Sequence, residues 1–342
     1  MSTIRDIAKV SGVSYPTVSH VINKTRPVSS KTQKKVFAAI DQLGYIPNAV
    51  ARGLSRKRMN TIGVVAAFPL NSLFDDNCHG KIIETALLAL PLYDQSGMLH
   101  FAQRLPERPE RISLYCDGRC DGLVIIGQPT DCEFVAALSA RSFPFVCVTE
   151  AWETSGVPYF DVDQPGMTQA LTKVLLELGH RKFAVLCGNS ESVSVAQRAE
   201  GCRRAFQQWE ISPKDTTFVP GTYSDVSGYN SARDLFTVVP KEDRPTAIIC
   251  FSDYIAHGAL LALSELGVRC PEDVSIVGID DAIAPSPNYT PLTTMRLPLK
   301  ELGKGAINLL LGIINSEQDL SLQNNLPAEL IIRPSIAPPR SI

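Results

Sequence analysis

The 342-residue sequence lacks several features that would place it in common classes of protein. No uninterrupted apolar run approaches the ~18 residues needed to span a bilayer, and residues 309–314 form one of the longest. The N-terminal residues MSTIRDIAKV lack the apolar stretch of a secretory signal, so we expect a cytoplasmic protein. The nine cysteines include no CxxC pair, and we expect them to be reduced and structural.

Motifs that carry catalysis are missing as well. The sequence has no GxSxG elbow, no GxxxxGK[ST] loop, no HExxH pair and no GxGxxG after a strand-like run. The histidines beyond the N-terminal segment are scattered without a partner at metal-ligand spacing, and Cys116 with Cys120 alone does not make a zinc site. We therefore expect no enzyme, no metal and no cofactor.

The formal net charge of −2 hides a strong asymmetry. Residues 1–58 contain eleven lysines or arginines against two aspartates, a charge of +9. The rest of the chain has 22 basic and 33 acidic residues, a charge of −11. This distribution predicts that the N-terminal segment meets a polyanion and that the remainder does not. The alternative is a solvated basic tail, and the residue pattern decides between them.

Within this basic segment, the residue pattern of positions 1–46 predicts three short helices. Thr3 is a cap for the first helix, which ends at Gly12. A second helix follows Ser14, and a third extends from near Ser29 to Gly44. The glycine-containing turn between the first two is typical of a helix-turn-helix DNA-binding domain, which we call the head.

The exposed start of the second helix is the part that would meet base edges. The Thr17 hydroxyl can donate or accept a hydrogen bond, and His20 can donate to a purine N7 or O6. Pro16 offers only apolar contact, for instance to a thymine methyl group. Taken alone, His20 would be an ordinary surface histidine; within this constellation we expect it to contact a base.

Two runs carry a family resemblance, TIRDIAKVSGVSYPTVSHVINKTRPVS and LGYIPNAVARGLS. They resemble the head of the LacI/GalR (lactose/purine repressor) family of transcriptional regulators, and the resemblance extends more weakly over nearly the whole chain. It implies a short hinge helix at residues 48–55, paired with its partner in the minor groove, with Leu54 wedged between base pairs. Two helical turns containing Gly53 are marginal alone, so we expect the hinge to fold on DNA. The DNA-binding residues thus predicted are Thr3, Ser14, Tyr15, Pro16, Thr17, His20, Asn23, Arg26, Arg52 and Leu54.

After residue 60, short apolar strands alternate with amphipathic helices, which predicts parallel sheets with helices on both faces. About 280 residues exceed one such core, so two lobes around a ligand cleft are expected. The resemblance also implies a body like a periplasmic binding protein, whose chain crosses between lobes. The expected divisions are residues 1–46 for the head, 47–60 for hinge and linker, 61–161 plus 293–321 for the first lobe, and 162–292 plus 322–342 for the second. The match is poorest at residues 75–116, where we expect a helix to stop near Pro91 and a strand to start near Met98.

The family's effector positions correspond here to Phe74, Thr149, Arg198, Tyr223, Ser252 and Asp280. Aromatic faces, an arginine and an aspartate suit a polyhydroxylated or charged ligand; a sugar fits well, and nucleobases and other polar metabolites stay open. Thr149 stands where many sugar-responsive relatives carry Asp, and the neighbouring Glu150 would point the other way along a strand. Four of these residues also have a structural alternative: a surface salt bridge for Arg198, core packing for Phe74 and Tyr223, and a helix cap for Asp280.

The sequence therefore predicts an effector-responsive repressor that binds a palindromic operator as a homodimer, with no membrane partner. The rival is a solute-binding protein of periplasmic type, which would use the same body without a DNA-reading head. Whether the effector releases or promotes DNA binding is left open, because the family includes both kinds.

Overall fold

The computed structural model describes residues 2–23, 25–46, 53, 58–68, 77–102, 112–127, 132–151, 156–282 and 290–340. These residues form two compact units, Met1–Thr61 and Ile62–Ile342. We call the second unit the body.

The head contains three helices, α1 (Ile4–Ser11), α2 (Tyr15–Asn23) and α3 (Ser30–Leu43). A capping box starts α1. The Thr3 hydroxyl accepts a hydrogen bond from the backbone amide of Asp6, and the Asp6 carboxylate accepts one from the backbone amide of Thr3 at 2.8 Å. Gly12 and Gly44 end α1 and α3 with φ of +67° and +55°, the left-handed conformation that glycine adopts at no steric cost. The predicted three-helix head is confirmed.

A small apolar cluster holds these helices together. Ile7, Val18 and Val36 are fully buried, and Val21 and Ala39 complete the cluster. Each residue comes from the apolar stripe of its helix, so the helical periodicity alone identifies the core of the head.

The described residues of the body form two six-stranded sheets. The strands in chain order are β1 (Thr61–Ala66), β2 (Ser96–Phe101), β3 (Gly122–Ile126), β4 (Phe145–Val148), β5 (Tyr159–Val162), β6 (Phe183–Leu186), β7 (Thr216–Val219), β8 (Ala247–Cys250), β9 (Ser275–Asp280), β10 (Thr293–Arg296), β11 (Gln323–Leu326) and β12 (Glu329–Ile331). The first lobe has the order β11-β5-β4-β3-β1-β2 and the second the order β12-β10-β9-β8-β6-β7. Among the strand pairs whose residue-by-residue register the described residues define, β10 and β12 are antiparallel and all others are parallel.

Helices cover these sheets, as parallel strands require. They are α4 (Asn77–Ala89), α5 (Glu133–Ala140), α6 (Gln164–Glu177), α7 (Val193–Gln208), α8 (Asp225–Thr237), α9 (Asp253–Glu265) and α10 (Leu299–Asn315). The α8–α9 pair packs backbone to backbone: a Cβ at Gly228 would overlap the Ile255 carbonyl of α9, and one at Gly258 would overlap the Asp225 carbonyl of α8. No helix within the described ranges is long and apolar enough to cross a membrane.

The lobe boundaries expected from the sequence need correction. Strand β10 lies in the second sheet, with Thr293 opposite Val277, whereas residues 293–321 are expected in the first lobe. Strand β11 pairs with β5 in the first sheet, whereas residues 322–342 are expected in the second lobe. The chain thus crosses between β5 and α6, between β10 and α10, and between β11 and β12. The sequences of β10 (TTMR) and β11 (QNNL) are too polar to show an apolar run, so pairing alone reveals their sheets.

In the poorly matched stretch, α4 ends at Ala89 and a 3₁₀ turn over Leu90–Tyr93 contains Pro91. Strand β2 begins at Ser96, two residues before the expected start. It forms the edge of the first sheet and is largely exposed, so it lacks the continuous apolar run of the central strands.

Candidate functional site

The start of α2 presents a polar surface. Tyr15 is 52% exposed and Pro16 is exposed, whereas Thr17 and His20 are half-buried. Ser14 caps the helix, since its Oγ accepts from the Thr17 amide at 3.4 Å and lies 2.8 Å from the Thr17 hydroxyl. Of the residues that we assign to base contact, Tyr15, Pro16 and Thr17 lie in the first turn of α2, and His20 lies in its last turn.

His20, Arg26 and Thr3 are three residues of the head that we assign to DNA contact. The His20 Nδ1 lies 2.8 Å from the Thr25 hydroxyl, which fixes the orientation of the imidazole ring. Arg26 is exposed, and the exposed Thr3 directs its hydroxyl to Asp6 at 2.8 Å. Hydrogen bonds from Thr3 also hold the pKa of Asp6 below its usual value.

Asn23 differs from the other predicted DNA-binding residues. It is only 6% exposed, and its Nδ2 donates to the Ser19 hydroxyl at 3.2 Å. Its Oδ1 is buried and has no hydrogen-bond partner among the residues that the structure describes. Asn23 is therefore part of the packed interior of the head, and its assignment to DNA contact stays a prediction. Arg52 and Leu54 lie outside the described residues.

Five of the six predicted effector positions line one cleft in the body, with an empty volume of about 610 Å³ including its mouth. They come from different elements of both lobes, mostly just past the carboxyl ends of parallel strands, where open α/β sheets bind ligands. The five are Thr149, Arg198, Tyr223, Ser252 and Asp280. The sixth, Phe74, lies outside the described residues. The remaining lining residues are Cys78, His79, Glu150, Val162, Gln164, Ser194, Tyr254, Leu297 and Leu302.

Arg198 lies inside the body rather than on its surface. The residue is 6% exposed; its Nε donates to Gln164 Oε1 at 2.8 Å, and its Nη1 donates to the Phe251 carbonyl. The guanidinium carbon lies 5.9 Å from the centre of the Tyr223 ring. Burial opposes the charged form of Arg198, but the surrounding groups, with Tyr223 and Asp280 first among them, together raise its pKa. The surface-salt-bridge alternative is wrong.

Asp161 supports Arg198 through Gln164. The Gln164 Nε2 donates to Asp161 Oδ1 at 3.1 Å, which leaves its oxygen to accept from Arg198. Asp161 also accepts from the amides of Ala151 at 3.0 Å and Val162 at 2.7 Å. Complete burial raises its pKa to about 6 despite these bonds. Sequence reasoning missed Asp161 and Gln164; an aspartate within the apolar run of β5 was the available signal.

Two other predicted residues have structural partners. The Ser252 hydroxyl accepts from the Ile255 amide at 3.3 Å and caps α9. The Tyr223 hydroxyl lies 3.3 Å from the Ser194 hydroxyl, and burial raises the pKa of Tyr223. Asp280, at the end of β9, is 8% exposed, with a φ of +116°.

The segment after β4 is not a strand. Thr149 and Glu150 have φ of +62° and +55°, so the left-handed backbone directs the Glu150 carboxylate into the cleft. The expectation that Glu150 points the other way is wrong. The Thr149 Oγ1 is buried at the cleft wall and has no hydrogen-bond partner within the part of the chain that the structure describes. Two consecutive left-handed residues give no signal in a sequence without glycine or asparagine.

Comparison with known proteins adds two family matches. The model for bacterial regulatory proteins of the lacI family matches residues 3–48, and the one for the periplasmic binding protein-like domain matches residues 172–336. The chain is 33% identical to the HTH-type transcriptional repressor PurR of Photobacterium profundum over 98% of this chain and 99% of that protein.

Solved structures show the same architecture. A lac repressor dimer bound to operator and the anti-inducer ONPF superposes with a TM-score of 0.85 at 28% identity, covering 98% of this chain and 99% of that one. A complex of the transcriptional regulator CelR with cellobiose gives a TM-score of 0.71 at 28% identity, covering 98% and 100%. The chain therefore belongs to the LacI family of bacterial regulatory proteins. It is a DNA-binding transcriptional regulator with a periplasmic-binding-protein-like body, and the relatives named are repressors or regulators rather than enzymes.

Proposed function

We propose that this protein is an effector-responsive cytoplasmic repressor without enzymatic activity, which binds a near-palindromic operator as a homodimer. The observation that carries the proposal is the convergence of five predicted effector positions on one cleft in a chain with a helix-turn-helix head. Binding of a small polar metabolite in the cleft changes the arrangement of the lobes and so shifts operator affinity. The coupling is reciprocal, because DNA must then change the affinity for the metabolite by the same factor.

The side chains of α2 read the bases. The exposed Tyr15 and Pro16 and the neighbouring Thr17 and His20 supply apolar and hydrogen-bonding contacts to base edges. The charge of +9 over residues 1–58 supplies the phosphate contacts. Arg52 and Leu54 belong to the hinge, where Leu54 wedges between base pairs in the minor groove.

The cleft suits an uncharged, hydroxyl-rich ligand such as a sugar. The Tyr223 ring offers a face to C–H surface, while Arg198 and Asp280 offer a donor and an acceptor to hydroxyl groups. We assign a second aromatic face to Phe74 from its family position alone, and the Thr149 hydroxyl, which has no hydrogen-bond partner among the described residues, is available to a ligand hydroxyl. The regulator CelR, similar over the whole chain, binds cellobiose.

Selection from a random duplex library followed by a titration across a salt series tests the DNA-binding part. We expect a two-fold symmetric preferred site and an affinity that falls steeply with salt. A thermal-shift screen of sugars and nucleobases then identifies the metabolite, which must also shift operator affinity. Binding without sequence preference, or a ligand with no effect on operator affinity, would contradict the proposal.

A further inference from the structure

The Glu150 carboxylate joins the two lobes across the cleft. Glu150 follows β4 of the first lobe, and its three partners lie at the start of α7 in the second. One oxygen, Oε1, accepts from the hydroxyls of Ser192 at 2.7 Å and Ser194 at 2.6 Å. The other, Oε2, accepts from the Val193 amide at 2.7 Å. We call these three donors the α7 donor cluster.

The α7 donor cluster has the chemistry of an anion site. The first amides of a helix have no intrahelical acceptor, and the helix dipole favours negative charge at that end. Ser192 is the N-cap residue of α7, yet its side chain caps no amide of its own helix and instead donates to Glu150. A carboxylate held by one backbone amide and two hydroxyls fills the site, so the chain supplies its own anion where a ligand carboxylate or phosphate would otherwise bind.

The backbone around Glu150 is built for this contact. Thr149 and Glu150 both adopt the left-handed conformation, which is strained for a β-branched residue such as Thr149. The next residue, Ala151, donates its amide to the buried Asp161 at 3.0 Å, and its carbonyl accepts from Gln197 on α7 at 2.9 Å. These two bonds fix the segment on both sides of the cleft, which keeps the strained conformation in place.

The charges around the cleft also disfavour an anionic ligand. Besides Glu150, the cleft contains the Asp280 carboxylate. Among the lining residues that the structure describes, Arg198 is the only lysine or arginine, and its Nε and Nη1 already donate to Gln164 and Phe251. A ligand anion would therefore meet two carboxylates and one guanidinium whose Nε and Nη1 already donate to protein oxygens.

We propose that Glu150 is a tethered anion. Its carboxylate occupies the α7 donor cluster, prevents a ligand carboxylate or phosphate from binding to these donors, and itself links the two lobes. This makes Glu150 a specificity-determining residue for uncharged polar effectors. The inference rests on the proposed role of the cleft as the effector site.

Replacing Glu150 with alanine empties the donor cluster, and sodium formate is the probe that refills it. We expect Glu150→Ala to melt several degrees below wild type. Formate at tens of millimolar should raise its melting temperature relative to sodium chloride of equal ionic strength, whereas wild type should show no such difference. Adding Ser194→Ala to the Glu150→Ala variant should abolish most of the response. The matched control is Glu191→Ala, which removes an exposed carboxylate beside the same helix start and should melt and respond like wild type.

An equal response of wild type and Glu150→Ala to formate would overturn the proposal, as would a Glu150→Ala variant that melts like wild type. If Glu150→Ala does not fold, Glu150→Gln provides the test, because its amide must face a donor: it should melt below wild type and show no formate response. A Glu150→Gln variant as stable as wild type would overturn the proposal. The measurements use no DNA, so a wild-type protein that bound no operator would contradict the proposed function while leaving the tethered anion intact.

Discussion

Replacing Asp161 by asparagine should remove the contribution that the titration of Asp161 makes to the pH dependence of the free energy of unfolding of the body. Asp161 is 1% exposed, and burial raises its pKa from 3.8 to about 6. Because the pKa is higher in the folded protein than in the unfolded chain, the folded state holds the proton more tightly. Lowering the pH through 6 towards 4 therefore stabilises the fold through this residue, and above about pH 6 the ionised carboxylate carries the full cost of burial.

The size of the effect follows from that pKa difference. At about 1.4 kcal/mol for each pKa unit, the upper limit is about 3 kcal/mol over the whole titration. Urea unfolding of wild type and Asp161→Asn at several pH values between 4.5 and 7 measures it. We expect the free energy of unfolding of wild type minus that of the variant to increase as the pH falls.

Other buried acids do not confuse this measurement. Asp253, whose pKa burial also raises to about 6, is present in both proteins and cancels in the difference. The control variant Asp234→Asn alters an exposed position on α8 and should follow the wild-type pH dependence. Parallel curves for wild type and Asp161→Asn would refute the reasoning, because they would show that Asp161 titrates alike in the folded and unfolded states.

Three further predictions concern DNA, ligand and packing. Leu54→Ala should lower specific operator affinity at fixed salt while leaving effector affinity unchanged in a calorimetric titration; unchanged operator affinity would contradict the wedge. Arg198→Ala and Asp280→Ala should each weaken a confirmed effector by more than about 1 kcal/mol in the same titration, since buried charged contacts are lost; smaller losses at both would defeat the assignment. Gly258→Ala should lower the free energy of unfolding by more than about 1 kcal/mol, because its Cβ meets a backbone carbonyl that cannot move alone. The control Gly312→Ala, which meets only side-chain atoms of its neighbours, should cost less in the same urea titration.

The head was the part most fully predictable from the sequence, because its signals are local. The cap at Thr3, the reciprocal bond from Asp6 and the left-handed glycines at positions 12 and 44 all act within a few residues. Asn23 shows the limit: its residue type suits DNA contact, but the packing of α2 buries it.

The body was predictable where strands are buried on both faces. Central strands such as β3 and β9 are continuous apolar runs, whereas β7, β10 and β11 are short and rich in threonine or amide side chains. Their sheet membership depends on partners far along the chain. The positions of the lobe crossings therefore could not be read from local pattern.

Some residues of the cleft could be predicted from the sequence and others could not. Thr149, Arg198 and Asp280 were found through family positions, which encode the long-range geometry. The role of Glu150 depends on a positive φ and on a helix start in the opposite lobe, and Asp161 acts through Gln164. None of these relations exists within a short stretch of sequence.

The late position of β11 and α10 in the chain has a consequence for synthesis on the ribosome. The open edge of β5 is filled by residues 323–326, and helix α10, which packs against the first lobe, ends at Asn315. The first lobe therefore stays incomplete until nearly the whole second lobe has been made, although its first strand begins at Thr61. During translation the edge of β5 has no partner strand while some 160 further residues are added to the chain. An unpaired strand edge of this kind can pair with the wrong strand. Both sheets therefore receive their last strand only after residue 322, β11 in the first sheet and β12 in the second.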